Sequence, residues 1–324
     1  METPEVSIVF TSYNHERYLK QALDSLLAQT LTNFELIIVD DCSTDGSQDI
    51  LIEYANKDSR IKLNLNTKNS GSYVCSTNQG ASMATAPYLI FAQCDDWAEP
   101  NQLERLMGAM HANDVGVVFS CSNMVDEKER LIGTDFNGRE EAFKKNYDAD
   151  SLILGKDAMN FLLKACIIPN LSAALIKKDL YDDLQGLSNK YFVLADWDFW
   201  LRASIKSDFF YIREPLNNFR QHPTTIRSNI KMKRQVGELF YMMFNLAKSK
   251  NISKMKACHA AASLWIYWAV NGKKEWIKTF PSLLCEGTKH SAFFPAAFFV
   301  EAAKVSIRKV FSSIVKINIH CLYD

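Results

Sequence analysis

Residues 37–47 read IIVDDCSTDGS. Ile37, Ile38 and Val39 are strand formers, and the run stops at Asp40 and Asp41, with Asp45 four positions beyond the second. A continuous apolar run bounded by turn residues suits a strand covered on both faces; Asp, Ser, Thr and Gly then supply the chemistry of a turn and a helix start. The same unit recurs on either side. VSIVF (6–10) precedes LKQALDSLLAQ (19–29), ELIIV (35–39) precedes SQDILIEYA (47–55), and IKLNL (61–65) precedes a helix over 74–84. PYLIFA (87–92) precedes NQLERLMGAM (101–110), and VGVVF (115–119) follows. This alternation predicts an α/β fold with a mostly parallel sheet flanked by helices. Leu19, Ala22, Leu23, Leu26 and Leu27 share one helix face, and Asn14 stands where its N-cap belongs.

Ligands of such sheets bind beyond the carboxyl ends of the strands. TSYN (11–14), DDCSTD (40–45) and QCDD (93–96) each follow a predicted strand, and Asn69-Ser70-Gly71 follows IKLNL, so all four are expected along one rim. Taken singly, such aspartates are ordinary turn and cap residues. Gathered around one crevice they are costly unless a cation shares them. A divalent ion held by one or two carboxylates, its shell completed by substrate phosphates, fits a diphosphate ligand. Neither GxGxxG nor GxxxxGK[ST] occurs, which leaves charge neutralisation to the metal.

The chain has 324 residues, of which 48% are hydrophobic, enough for a large domain and an appendage. Its eight cysteines show no CxxC spacing, the first residues enter a strand pattern without a leader's features, and the apolar stretches AAASLWIYWAV (260–270) and AFFPAAFFV (292–300) are short for a membrane span. A cytoplasmic protein is expected. Net charge is zero, yet residues 1–100 hold 14 acidic against 6 basic residues. Between Arg220 and Lys256 nine basic residues face one acidic, Glu238, which suits a solvated helical surface or one facing phosphate or membrane. Residues 126–190 are irregular, with a short β run SAALI (172–176) and a helix at KKDLYDDL (177–184). A helix DWDFWLRASI (196–205), a strand FFYI (209–212) and the segment FRQHPTTIRSN (219–229) follow; beyond 230 all reads as helix, with breaks at Asn271-Gly272, Pro281 and Pro295.

The ordered set VSIVFTSYNHERYLKQALDSLLAQT, FELIIVDDCSTDGS, NSG, APYLIFAQCDDWAEPNQLE and ADWDFWLR resembles the family 2 glycosyltransferases, inverting enzymes of the GT-A fold that use nucleotide-diphospho-sugars. The resemblance covers roughly residues 1–225 and implies a Rossmann-like catalytic domain there, followed by a helical C-terminal region over 226–324. It implies an enzyme of hexosyltransferase type with a UDP-sugar donor, a glycan or lipid-linked acceptor, a divalent metal (Mn or Mg) and no nucleic-acid partner. Carried over by position, Thr11, Tyr13 and Asn14 line the nucleotide pocket, Asp40 accepts the uracil N–H, Asp41 fixes the loop and Asp45 caps the next helix. Asn69 and Gly71 belong to the same nucleotide site. Gln93 and Asp95 contact ribose or phosphate, Asp95, Asp96 and His222 hold the metal, Arg227 and its basic neighbours meet phosphate, and Asp196 is the general base.

The base has its own rationale: inverting transfer needs a group opposite the leaving diphosphate, and Trp197 and Trp200 beside Asp196 are expected to raise its pKa by desolvation. Asp198 is expected to serve structure. The chain departs from the family where Gln93 replaces an Asp and Ala195 a Glu. From Ala296, the residues Phe299, Ala303, Ile307, Val310, Ile314 and Ile317 share a face opposite Lys304, Arg308 and Lys316, a cationic amphipathic helix suited to the inner membrane surface, to the catalytic domain or to a homodimer. The competing readings are a nucleotidyltransferase, for which TSYNHERY lacks a glycine-rich basic loop, and a nucleotide-sugar-binding module without catalysis.

Overall fold

In the computed structural model, which describes residues 3–222, 231–271 and 275–305, the apolar runs become the strands of one sheet. The chain divides into two compact units, Met1–Asn229 and Ile230–Asp324. In the first, β1 (Val6–Ser12), α1 (Glu16–Leu27), β2 (Phe34–Asp40), α2 (Ser47–Lys57), β3 (Ile61–Leu65), α3 (Tyr73–Met83) and β4 (Tyr88–Gln93) alternate. Then come β5 (Trp97–Ala98), α4 (Gln102–Ala112), β6 (Val117–Val125), β7 (Leu131–Thr134), α5 (Glu141–Asn146), β8 (Ser151–Ile153) and α6 (Gly155–Leu162). The unit continues with β9 (Ala174–Lys177), α7 (Lys178–Asp183), α8 (Ala195–Lys206) and β10 (Phe209–Arg220).

The strands form one sheet of order β3-β2-β1-β4-β9-β6-β10-β5, with β7 on β6 and β8 on β10. β3, β2, β1 and β4 are mutually parallel, β9 enters antiparallel between β4 and β6, and β6 and β10 are again parallel. The register sets Thr11 level with Val39 on one side and Gln93 on the other, and Ser12 level with Asp40. The polar clusters therefore surface together at one edge.

Both faces of β1 and β2 are covered, as their unbroken apolar sequence requires. Ile8, Phe10, Leu36 and Ile38 pack with Leu19, Leu23 and Leu26 of α1. On the other face, α3 approaches so closely that a Cβ at Gly80 would lie 2.4 Å from Val9 Cγ1 and 3.4 Å from Val39 Cγ2. Each fully buried Leu or Ile side chain contributes about 1.5–3 kcal/mol through apolar burial.

Asn14 does not cap α1. It has φ 52°, and its Oδ1 accepts from Thr44 N at 2.8 Å, while the N-cap position is His15. The free N–H groups at the helix start are met from the neighbouring loop instead: His15 N donates to Ser47 Oγ at 3.2 Å and Glu16 N to Asp45 Oδ2 at 3.2 Å. Asp45 Oδ1 also accepts from Ser47 N at 3.0 Å, although the N-cap position of α2 is Gly46, one residue further on.

The irregular stretch after β6 is held by Arg139. Its guanidinium pairs with Asp135 at 2.9 Å, donates to Ile167 O, and lies over Phe119, Phe143 and Tyr211. These side chains are buried, and the hydrogen bonds to Asp135 and to backbone carbonyls, with the stacked rings, offset the desolvation of the pair.

The second unit contains α9 (Met232–Lys248), α10 (Lys254–Asn271), α11 (Glu275–His290) and a further helical segment over 294–305. Phe240, Trp265, Phe294 and Phe298 form its aromatic core, and His259 Nδ1 lies 2.8 Å from Glu301 Oε1. The break expected at Pro281 is absent: the proline lies inside α11, where the cost of its missing N–H is outweighed by tertiary packing of that helix, which buries Leu283. Pro295 sits in the first turn of the last segment, where proline is tolerated. Phe299 is 61% exposed, and Ile307, Val310, Ile314 and Ile317 of the expected amphipathic face lie outside the described residues. Among the described residues no helix is long and apolar enough to cross a membrane.

Candidate active site

Beyond the carboxyl ends of β1, β2 and β4 lies a cavity of about 510 Å³. A broader cleft of about 920 Å³ is lined by Val115, Gly116, Leu154, Gly155, Ser207 and Asp208, at the opposite ends of β6 and β10. The smaller cavity is the candidate site, because it lies where parallel sheets bind ligands and convergent polar groups enter it. Thr11, Tyr13, Asp41, Asn69, Gly71, Gln93, Asp95, Asp96, Asp196 and His222 all line it.

Two expected residues do not. Asn14 is spent on Thr44, as above. Asp40 is fully buried, and its carboxylate accepts from Ser43 N at 2.8 Å, Ser43 Oγ at 2.5 Å and Gln48 Nε2 at 3.0 Å. Asp40 is the residue that holds the β2–α2 loop, correcting the assignment to a nucleobase. Asp41 stands at the cavity wall and also fixes the next loop, accepting from Asn66 Nδ2 at 3.1 Å, Ser70 N at 3.0 Å and Ser70 Oγ at 2.7 Å. Ser70 N also reaches Asp41 Oδ2 at 3.1 Å, and what separates Asp41 from Asp40 is that it lines the cavity. Asn69 completes that loop, donating to Asp41 O at 3.1 Å and accepting from Gly71 N at 2.6 Å; Gly71 has φ 76°, a conformation that favours glycine.

Asp95 and Asp96 follow β4 and face different partners. Asp95 Oδ2 lies 3.0 Å from His222 Nε2. Burial pushes Asp95 up, but the hydrogen bond from His222 and the nearby His15 and His222 imidazoles hold it below the ordinary carboxylate range. Asp96 Oδ2 accepts from Ser172 Oγ at 2.7 Å and Oδ1 from Arg220 N at 3.0 Å. Burial, then the charge of Asp95, push the Asp96 carboxyl well above the ordinary range. Two adjacent carboxyls in a buried place do not both ionise readily, and Asp95 keeps the charge. Asn170 and Asn217 continue the polar layer behind Asp96: Asn217 Nδ2 donates to Ser172 Oγ at 3.0 Å, and Asn170 Nδ2 to Ser122 Oγ at 3.0 Å.

Among the described residues, His15, Asp95 and His222 bring three ligand atoms within 4.8 Å of one another. Two imidazoles and a carboxylate suit a divalent ion, so the donor set fits the expected metal. Asp96 stands outside this group, its oxygens committed to Ser172 and Arg220. His15 was not among the expected ligands; the available signal was its position directly after the rim cluster TSYN.

Asp196 opens α8 and faces the cavity, with Oδ1 accepting from Trp197 N at 2.8 Å. Trp197 is buried, its ring N–H donating to Leu162 O at 2.8 Å. Asp198 pairs with Arg202 at 2.7 Å, and Arg202 donates on to Leu184 O and Gly186 O, a structural use. Arg220, expected to meet phosphate, is turned inward beneath Asp95: its Nε donates to Asp95 O at 2.9 Å and its NH2 to Gln21 Oε1 at 2.6 Å. Arg227 and Ser228 lie outside the described residues. Phe192 and Val193 add an apolar wall that sequence reading missed, since the loop before α8 has no periodicity.

The architecture is that of the GT-A glycosyltransferases. The structure of TarS 1–349 from S. aureus with UDP-GlcNAc matches with a TM-score of 0.68 at 16% identity, covering 92% of this chain and 89% of that one. The model of the family described as Glycosyl transferase family 2 matches residues 7–183, more than half of the chain, and the chain belongs to that family. It is 28% identical over 234 residues to EpsH of Bacillus subtilis, which carries a glycosyltransferase name, covering 70% of this chain and 63% of EpsH. It is 38% identical over 107 residues to TuaG of the same organism, named for teichuronic acid biosynthesis, covering 33% of this chain and 42% of TuaG. The chain thus spans less than two thirds of either curated relative.

Proposed function

We propose that this glycosyltransferase is inverting and metal-dependent, and that it moves a sugar from a UDP-sugar to a hydroxyl of a glycan or lipid-linked acceptor in polysaccharide or glycolipid biosynthesis. The observation that carries the reading is that Asp41, Asp196 and the Asp95–His222 pair enter one cavity from different elements. TarS, crystallised with UDP and with UDP-GlcNAc, supports a uridine donor, and the name of TuaG supports a polysaccharide product.

In this reading Asp41, not Asp40, accepts the uracil N–H, Thr11 and Tyr13 flank the base, Asn69 and Gly71 shape the loop beside it, and Gln93 meets ribose or phosphate. Asp95 and His222 would hold Mn²⁺ or Mg²⁺, which when bound neutralises charge on the diphosphate. Asp196 takes the proton from the acceptor hydroxyl as that oxygen attacks the anomeric carbon. The bond from this carbon to the diphosphate oxygen breaks, UDP departs with the electron pair, and attack from the opposite face inverts the centre. In the helical unit Phe293, Phe299 and Val300 are exposed and suit contact with the inner membrane face or a second copy.

Two measurements test this. Calorimetric titration of UDP with Mn²⁺ and then with EDTA, with GDP as control, is expected to give metal-dependent binding selective for UDP. A screen of UDP-sugars for UDP release then provides the assay in which Asp196→Asn lowers turnover about 10²–10⁴-fold with UDP affinity unchanged. Full turnover by Asp196→Asn would remove the base assignment.

A further inference from the structure

We propose that His15 completes a His–Asp–His metal site with Asp95 and His222, and that this donor set favours Mn²⁺ or Co²⁺ over Mg²⁺. The inference rests on the metal-dependent reading above and adds a ligand and a selectivity to it.

The three side chains come from three places: His15 precedes α1, Asp95 follows β4 and His222 follows β10. Their ligand atoms lie within 4.8 Å of one another, and His222 Nε2 stands 3.0 Å from Asp95 Oδ2. Two donors sharing one ion at right angles, each about 2.1 Å away, stand about 3 Å apart, so the observed spacing is that of neighbouring ligands. The tautomer of His15 is fixed by its surroundings. Its Nδ1 lies 2.6 Å from Tyr13 O, and a carbonyl only accepts, so Nδ1 carries the proton and Nε2 the lone pair. A backbone carbonyl on the far nitrogen is the arrangement by which proteins orient a ligating imidazole. Tyr18 packs near both rings, with centroids 6.3 Å from His15 and 5.7 Å from His222, and is itself covered by the Arg220 guanidinium at 4.6 Å.

Selectivity follows from donor type. Mg²⁺ prefers oxygen ligands and retained water, whereas imidazole suits the transition ions, with affinity rising from Mn²⁺ to Co²⁺. One carboxylate against a doubly charged ion also leaves a net positive site for a diphosphate to complete.

The test uses the full chain stripped of metal and titrated calorimetrically with MgCl₂, MnCl₂ and CoCl₂, without nucleotide. Co²⁺ is expected to bind more tightly than Mn²⁺, and Mn²⁺ at least tenfold more tightly than Mg²⁺. Loss of an outer-shell partner alone weakens metal binding about 10–100-fold, so His15→Ala is expected to weaken Co²⁺ at least tenfold and Asp95→Asn to abolish binding. Spin-echo modulation of the Mn²⁺-loaded wild-type protein is expected to count two imidazole nitrogens, a readout that does not depend on any variant folding. One imidazole in that spectrum, or unchanged Co²⁺ affinity in His15→Ala while Asp95→Asn abolishes it, removes His15 and leaves the metal-dependent reading standing. Binding of none of the three ions by the wild-type protein overturns the three-ligand site, and the metal-dependent reading falls with it only if UDP binds equally in Mn²⁺ and in EDTA.

Discussion

Replacing Arg220 by alanine is expected to be among the most damaging single changes in the catalytic unit, although the side chain does not line the cavity. Its guanidinium is buried and donates to Asp95 O and to Gln21 Oε1 at 2.9 and 2.6 Å. It also lies over the rings of Tyr18 and Trp97 at 4.6 and 4.8 Å. Hydrogen bonds from a charged donor contribute about 1.5–3 kcal/mol each and cation–π contacts about 0.5–2 kcal/mol each. The lower ends alone place the loss near 4 kcal/mol, which in a unit of this size corresponds to a Tm fall of roughly 8–16 °C. Freed from Arg220, the Asp95 carbonyl no longer fixes the 93–98 turn, and metal-dependent UDP binding is expected to weaken about tenfold or more. Arg220→Lys keeps a charge but loses the planar fork, and is expected to recover about half of the stability. Urea unfolding followed by tryptophan fluorescence, together with UDP titration, reads both effects. An Arg220→Ala protein within about 1 kcal/mol of wild type, with UDP affinity intact, would refute the positioning role.

Other expectations follow from the same contacts. Glu35 is buried between Ser7, Thr85 and Lys62; burial raises its carboxyl, but the hydrogen bonds from these three outweigh that and hold it at about 2. A folded-state pKa below the ordinary 4.5 stabilises the fold above that pH, and the stabilisation is lost as pH falls from 4.5 toward 2. With Lys62 half exposed, the contribution is discounted to about 1–2 kcal/mol, and Glu35→Gln is expected to flatten this acid limb in unfolding curves taken between about pH 6 and pH 3. Asp40→Asn is expected to cost about 1–2 kcal/mol of stability while leaving UDP affinity within about twofold, whereas Asp41→Ala weakens UDP at least tenfold. The reverse pattern in the two titrations would restore Asp40 to the nucleobase.

Much of this was legible in the sequence for physical reasons. VSIVF and ELIIV are covered on both faces, so their apolar runs announce a parallel sheet, and the carboxyl-end rule places TSYN, DDCSTD and QCDD on one rim. The short strands β7 and β8 were not legible, because three or four residues cannot display a period. The choice between Asp40 and Asp41 was hidden as well. Pairing with β1 ends at Asp40, and Cys42 then takes φ 66°, so the direction of each carboxylate depends on where the ladder stops and how the chain turns. His222 reaches Asp95 because β10 runs twelve residues through an irregularity at Pro215, well past the apolar FFYI that marks its start.

The carboxylates at these strand ends divide their labour by what each neighbour leaves available. Asp40, fully buried, accepts from Ser43 and Gln48 and holds the β2–α2 loop, Asp45 accepts from Glu16 N and Ser47 N at two helix starts, and neither lines the cavity. Asp41 is shared between a loop and the cavity. Asp95 and Asp96 could not both face a buried cavity as bare anions, and the fold separates them by giving Asp96 to Ser172 and the Arg220 N–H while two imidazoles support Asp95. That separation leaves a single negative group at the centre of the rim. Gln93, which lines the same rim beside Asp95, adds no charge there, where a third carboxylate would add repulsion.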